Sequence, residues 1–131
     1  MEPRFSNRQK NALVSLAKLH LWELSKLPPF DTMSGQFLYF KLVQQTLSGS
    51  DVQQSLKDIH FDTQLSERAI RLKVREFEEL GLIHSVPNQS DKRARQLIPT
   101  DQMLDLIEQH ANAFKQVFAE KLLVIEKNNN Q

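Results

Sequence analysis

The most constraining feature of the sequence is the order of patterns in residues 66–100. An amphipathic helix pattern runs from Ser66 to about Leu80 and stops at Gly81, a residue that commonly follows the last turn of a helix. Two short runs rich in apolar and β-branched residues follow, "LIHSV" and "ARQLI", with the polar stretch "PNQSDKR" between them. Runs of this type around a turn-rich segment predict a β-hairpin. A helix that leads directly into a hairpin is compatible with few architectures.

The remainder of the chain is predicted to be helical, because 131 residues contain only three glycines and five prolines. A serine followed three residues later by a glutamine has the form of a capping box, and it occurs at Ser6 and again at Ser50. The predicted helices span about 6–27, 34–47, a short stretch from residue 50, 66–80 and 100–126, with a disordered tail at 127–131. The predicted fold class is therefore mainly α with one small β-hairpin, in a single domain.

This order of elements is that of a winged helix-turn-helix, with a core at about 34–100 and helices 6–27 and 101–126 outside it. In such domains the second helix of the pair enters the DNA major groove, and the first crosses the backbone. The arrangement requires the helix at 66–80 to present a basic face to solvent.

The predicted recognition helix meets this requirement. On a helical projection Ile70, Val74 and Phe77 share one stripe, which we predict to be buried. Three arginines lie on the opposite face: Arg68, Arg71 and Arg75. Residues 66–75 contain four basic side chains and one acidic one, whereas residues 76–79 contain three acidic ones, so the near-neutral net charge of +1 conceals a segregation of charge.

The predicted hairpin loop supplies a second basic cluster. Lys92, Arg93 and Arg95 outnumber Asp91 directly after the same helix. The alternative is a solvated helix face supported by pairs such as Glu67 and Arg71, but two neighbouring basic elements favour DNA binding. The predicted DNA-contact residues are Ser66, Arg68, Arg71, Leu72, Lys73, Arg75, Lys92, Arg93 and Arg95.

Residues 65–100 resemble the DNA-binding segment of the multiple antibiotic resistance regulator (MarR) family. The shared features are Leu-Ser at the start of the recognition helix, the exit Phe-Glu-x-x-Gly-Leu-Ile, and a wing with Asp-x-Arg followed by a threonine. In this sequence the wing positions are Asp91, Arg93 and Thr100. The resemblance implies a dimeric regulator in which Arg93 contacts the minor groove or its phosphates and Asp91 braces the wing. It also implies that the first and last helices form the dimer interface.

The composition of the terminal helices also favours dimerisation. In the last helix apolar residues recur at alternating spacings of three and four, with a second apolar flank beside them, which is more apolar surface than one small domain covers. The alternative is that the terminal helices simply pack on each other and on the core. The predicted dimerisation residues are Leu13, Leu16, Leu104, Ile107, Ala111, Phe114 and Phe118. A twofold dimer would present its recognition helices about 34 Å apart to an inverted-repeat DNA site.

Catalytic, cofactor and metal sites are not predicted. The four histidines are far apart in sequence, cysteine is absent, and no glycine-rich phosphate loop occurs. No apolar run is long enough to cross a membrane. We therefore predict a cytoplasmic, non-enzymatic transcriptional regulator of the repressor type that binds double-stranded DNA as a homodimer, with any effector unknown. Two alternatives remain open: a winged-helix module that binds proteins, and a plasmid or phage DNA-binding accessory protein without an effector.

Overall fold

The computed structural model describes residues 3–48, 65–87 and 95–129, and their side chains up to residue 118 except that of Arg95. The helices are α1 (Asn7–Lys26), α2 (Met33–Leu47), α3 (Glu67–Glu79) and α4 (Asp101–Asn129), with a 3₁₀ turn at Pro28–Asp31 and an antiparallel pair of strands, β1 (Ile83–Pro87) and β2 (Arg95–Pro99). This confirms the predicted mainly α fold with a small hairpin. The short helix predicted from residue 50 lies outside the described residues.

Helices α1 and α3 begin directly after the serines that are predicted to cap them. At the start of α1 the Gln9 amide donates to the Ser6 hydroxyl at 3.1 Å, and the Ser6 amide donates to the Gln9 side chain at 2.9 Å. This reciprocal pair is the predicted capping box. At the start of α3 the Ala69 amide donates to the Ser66 hydroxyl at 3.1 Å. Both caps satisfy backbone donors that have no partner within the helix.

The other two helices differ slightly from the predicted bounds. The start of α2 is set by Thr32, whose hydroxyl accepts a hydrogen bond from the Gly35 amide at 3.1 Å, so the helix begins one residue before the predicted position. Gly35 also lies against the 3₁₀ turn, and a Cβ at this position would overlap the Pro29 carbonyl oxygen. Helix α4 continues to Asn129, three residues beyond its predicted end.

The chain divides into two compact units, Met1–Pro28 with Glu108–Gln131, and Pro29–Ile107. None of the described helices combines the length and apolar composition needed to cross a bilayer.

In the unit Pro29–Ile107 the core includes the predicted stripe of α3, since Ile70, Val74 and Phe77 are 1–4% exposed. In the hairpin, Ile83 is opposite Pro99 and Ser85 is opposite Leu97, which places Ile83 and Leu97 on one face. Both side chains are buried. Among the described residues of this unit, other buried apolar side chains include those of Phe30, Leu38, Tyr39, Leu42, Leu82, Met103 and Ile107.

Helix α2 has apolar residues on two sides, and the structure buries one of them. Phe37 and Phe40 are each 43% exposed. Leu38 and Tyr39 are buried instead, and Tyr39 packs edge-on against Phe30 with ring centroids 5.4 Å apart.

Helix α1 exposes the two leucines that are predicted to take part in dimerisation. Leu13 and Leu16 are 60% and 54% exposed. The buried positions are Ser15, Leu19 and Glu23, which are spaced by four residues and therefore share one face. The inner face of α1 is thus partly polar, and its outer face is rich in leucine.

Candidate nucleic-acid interface

Helix α3 presents three arginines on the side opposite its buried stripe. Arg68, Arg71 and Arg75 are all exposed. Burial of the stripe fixes the rotation of α3, because an amphipathic helix is oriented by the face that it buries. The remaining outward positions are consequently available to a partner in solution, and the sequence fills them with guanidinium groups.

One of these arginines has an acidic neighbour on the same helix. The Arg71 guanidinium lies 3.9 Å from the Glu67 carboxylate, and their side chains are 73% and 67% exposed. Ion pairs at this exposure contribute little to stability, because water screens both charges. Arg71 can therefore exchange Glu67 for an external anion at small cost.

Lys73 lies beside the buried stripe and not on this face, and its predicted contact with DNA stays a prediction. Its side chain is only 11% exposed, and its ammonium group donates to Glu76 at 2.8 Å and lies 4.0 Å from Asp31. On an ideal helix Lys73 is about 60° from Ile70, beside the buried stripe. The lysine stem is packed inside, and the charge is held between two carboxylates of its own chain.

The exit of α3 is joined to both the hairpin and α4 through Thr100. The Thr100 hydroxyl donates to the Gly81 carbonyl oxygen at 2.6 Å and accepts from the Met103 amide at 3.3 Å, so the same side chain caps α4. The Thr100 amide donates to the Leu82 carbonyl at 3.0 Å. Gly81 has φ of 76°, a left-handed conformation that favours glycine. These bonds fix the base of the hairpin against the end of α3.

The wing residues lie largely beyond the described part of the chain. Asp91, Lys92 and Arg93 fall within residues 88–94, which the structure does not describe. Arg95 is the first residue of β2, and its backbone is paired in register with Pro87. The roles of these four residues therefore stay predictions.

The predicted dimerisation residues fall into two groups. Ile107 is 6% exposed and therefore already buried in its own chain, and its place in a dimer face stays a prediction. The other six are exposed or half-buried: Leu13, Leu16, Leu104, Ala111, Phe114 and Phe118. Phe114 is 53% exposed although its ring lies against Phe118, with centroids 4.6 Å apart.

A cluster that sequence analysis missed connects α1 with α4. The buried carboxylate of Glu23 accepts from His110 Nε2 at 2.6 Å and from His20 Nδ1 at 3.0 Å. The His110 ring also stacks on Trp22, with centroids 5.9 Å apart. The three-residue spacing of His20 and Glu23 is visible in the sequence. No local pattern links Glu23 to His110, which lies 87 positions further along the chain. No group of residues in the described part of the chain is suited to hold a metal ion.

Solved structures share this architecture at low sequence identity. A variant of MepR from S. aureus has a TM-score of 0.60 and 19% identity, covering 97% of this chain and 91% of that chain. The transcriptional regulator Tm0710 from Thermotoga maritima has a TM-score of 0.66 and 16% identity, covering 94% and 82%. Another S. aureus MepR variant, bound to an oligodeoxyribonucleotide, has a TM-score of 0.64 and 18% identity, covering 97% and 91%. The chain has a MarR-type winged helix-turn-helix fold.

The MarR-type fold confirms the resemblance that residues 65–100 show in sequence. Neither a family sequence model nor a curated protein matches the chain. Because these structures are only 16–19% identical to the chain in sequence, the comparison shows that they share its fold and nothing further. What points to a function within that fold is the basic outer face of α3.

Proposed function

We propose that this protein is a homodimeric transcriptional regulator, of the repressor type, that binds double-stranded DNA in a sequence-specific manner. The observation that carries the proposal is the outward orientation of Arg68, Arg71 and Arg75 on helix α3 of a winged helix-turn-helix fold. The MepR variant that has the same fold is bound to an oligodeoxyribonucleotide, which supports a nucleic-acid partner.

Helix α3 would occupy the major groove, which is about 12 Å wide and admits one α-helix. An arginine can donate two hydrogen bonds to the O6 and N7 atoms of guanine, a contact that discriminates against other bases by about 1–3 kcal/mol. Ser66, at the N-terminus of α3, lies where backbone amides and the helix dipole favour a phosphate. The acidic C-terminal end of the helix would face away from the DNA.

The wing would bind beside the recognition helix. Lys92, Arg93 and Arg95 supply positive charge for the flanking minor groove and the phosphate backbone, and Asp91 would brace the loop. The attachment of the hairpin base to Gly81 and Thr100 supports this role, because it fixes the origin of the wing relative to α3.

Dimerisation would use the exposed apolar faces of α1 and α4. Leu13 and Leu16 on α1, and Phe114 on α4, each have about half or more of their surface exposed in the isolated chain. Apolar faces of this kind mark protein interaction sites. A twofold dimer would place two copies of α3 about 34 Å apart, which is one turn of B-DNA, and would bind an inverted repeat.

The proposal is tested by selecting duplexes from a random-sequence library with the full-length protein. We expect the retained duplexes to contain an inverted repeat with half-sites one helical turn apart. The affinity for such a duplex should fall steeply with salt, because each neutralised phosphate contributes a slope of about −0.9 in log K against log salt. Retained duplexes without a common sequence would contradict sequence-specific binding.

A protein-binding role is the alternative that the acidic end of α3 favours. Glu78 and Glu79 are exposed there and could contact a basic partner. Absence of duplex binding even at low salt, with the protein folded, would support this alternative and overturn the DNA proposal.

A further inference from the structure

Leu72 is an exposed leucine at the edge of the arginine face of α3. It is 50% exposed, and on an ideal helix it points about 200° away from Ile70, directly opposite the buried stripe. Among the residues of α3, all of which the structure describes, it is the large apolar side chain that the fold leaves in solvent. The packing of the isolated chain does not require leucine at this position.

The flanking arginines determine what Leu72 can contact. Arg68 precedes it by four residues and Arg75 follows it by three, so they lie about 6 Å and 4.5 Å away along the helix axis. Both arginines are exposed on the same side. A partner that contacts Arg68 and Arg75 together therefore also covers Leu72. Such a partner must present an apolar group to the leucine, between two sites that attract positive charge.

The major groove offers such a group. Its floor consists mostly of hydrogen-bond donors and acceptors, which a leucine side chain cannot satisfy, but thymine also presents its C5-methyl group there. Contact with this methyl group removes apolar surface of both partners from water. An apolar side chain between arginines therefore suits a thymine beside base pairs or phosphates that the arginines contact.

We infer that Leu72 determines specificity by packing against a pyrimidine C5-methyl group, that of thymine, in the major groove. The inference rests on the proposed DNA-binding function. It identifies the thymine methyl group as one of the chemical groups that α3 contacts in the major groove. The side chains of this face would then have different roles: the arginines supply charge and hydrogen bonds, and Leu72 supplies the apolar contact.

The experiment replaces each thymine of a selected duplex by uracil, in turn. This substitution removes the methyl group and leaves the hydrogen-bonding groups of the base unchanged. We expect the wild-type protein to lose affinity about fourfold at one thymine in each half-site, which corresponds to about 0.8 kcal/mol for one buried methyl group at 1.4 kcal/mol per tenfold. If cytosine is placed at that position, 5-methylcytosine should bind more tightly than unmodified cytosine by a similar factor.

Variants of Leu72 assign the effect to this side chain. Leu72→Ala should bind the thymine and uracil duplexes with equal affinity, whereas Leu72→Met, which keeps an apolar side chain of similar volume, should retain the difference. As a matched control, Arg68→Ala should weaken binding to both duplexes and keep the thymine preference. Alanine favours helix, so Leu72→Ala should remain folded, which circular dichroism checks.

The two proposals fail in different ways. If the library yields a common site but uracil has no effect at any thymine, or if Leu72→Ala keeps the full uracil effect, the inference about Leu72 is overturned while DNA binding stands. If no site is selected at all, the proposed function fails as well.

Discussion

Two basic residues of α3 that are two positions apart, Lys73 and Arg75, have different surroundings. Arg75 is exposed, whereas Lys73 is buried beside the core stripe with its ammonium group near Glu76 and Asp31. Only a charge that approaches a phosphate releases counterions from DNA. The position of Lys73 fits a role in holding α3 in place.

The salt dependence of DNA binding distinguishes these roles. Arg75→Gln should lower the affinity and reduce the slope of log K against log salt by about 0.9, if this side chain meets a phosphate. Lys73→Met keeps the packed stem and removes the charge, so the slope should stay unchanged. The affinity of each variant for a selected duplex is measured by fluorescence anisotropy over a range of salt concentrations, which also gives the slope. A reduced slope for Lys73→Met would place this lysine at the interface.

Gly81 is the residue whose backbone conformation most restricts substitution in the described segments. Gly81 has φ of 76°, and a residue with a Cβ adopts this left-handed conformation only at a conformational cost of about 1–2 kcal/mol. Gly81→Ala should therefore lower the free energy of unfolding by about this amount, as measured by urea denaturation. Gly81→Asn should cost less, because asparagine adopts the left-handed region more readily. Equal and negligible losses for both variants would show that the turn can rearrange.

At the scale of elements, α1 has an inner face that is partly polar. Its buried residues are Ser15, Leu19 and Glu23, and the Glu23 carboxylate accepts hydrogen bonds from His20 and His110. Hydrogen bonds to a buried carboxylate are directional, so they fix the rotation and register of α1 against α4 more closely than apolar contact does. This polar cluster explains how α1 can turn its leucines outward.

Removal of the Glu23 carboxylate should destabilise the pair of terminal helices. Glu23→Ala leaves two histidine N–H groups without their acceptor, and we expect a loss of about 1–3 kcal/mol in the free energy of unfolding. Glu108→Ala, at an exposed position of α4, is the control and should change stability by less than about 0.5 kcal/mol. Urea denaturation at one fixed protein concentration compares them, and equal midpoints for the two variants would contradict the role of the cluster.

Periodicity predicted the orientation of α3 but not that of α1 or α2. In α3 the large apolar residues other than Leu72 form one stripe, so the pattern allows one buried face, and Ile70, Val74 and Phe77 are indeed buried. In α2, apolar residues such as Phe37 and Tyr39 lie on different sides, and periodicity cannot choose between them. The choice depends on which neighbouring element covers each side, which is a property of the assembled fold.

At the scale of the whole molecule, α1 exposes more large apolar side chains than any other helix in the described part of the chain. Leu13, Leu16, Leu21 and Leu24 of α1 are all between 46% and 66% exposed. Exposing this many leucines on one helix is unfavourable in water, and a second copy of the chain would cover them. This exposed surface supports the proposed dimer.

A charge introduced on this face should separate the protomers. Leu16→Glu would bury a carboxylate in the proposed interface without a partner, which is strongly unfavourable. In sedimentation equilibrium we expect the wild type at twice the chain mass of 15.2 kDa and the variant at the chain mass. The control is Leu80→Glu, at the C-terminal end of α3, where leucine is 48% exposed; this variant should stay dimeric. A monomeric wild type would contradict the proposed dimer.

The sequence by itself determined the features that depend on neighbours a few residues away. The caps at Ser6 and Ser66, the stop at Gly81 and the succession of helix and hairpin are of this kind, because their hydrogen bonds and backbone preferences are local. Only the tertiary structure decided which faces of α1 and α2 are buried, and that Lys73 is buried whereas the arginines of α3 are exposed. Lys73 meets Asp31 and Glu23 meets His110 across long sequence separations, and burial is set by whatever lies opposite a side chain in space.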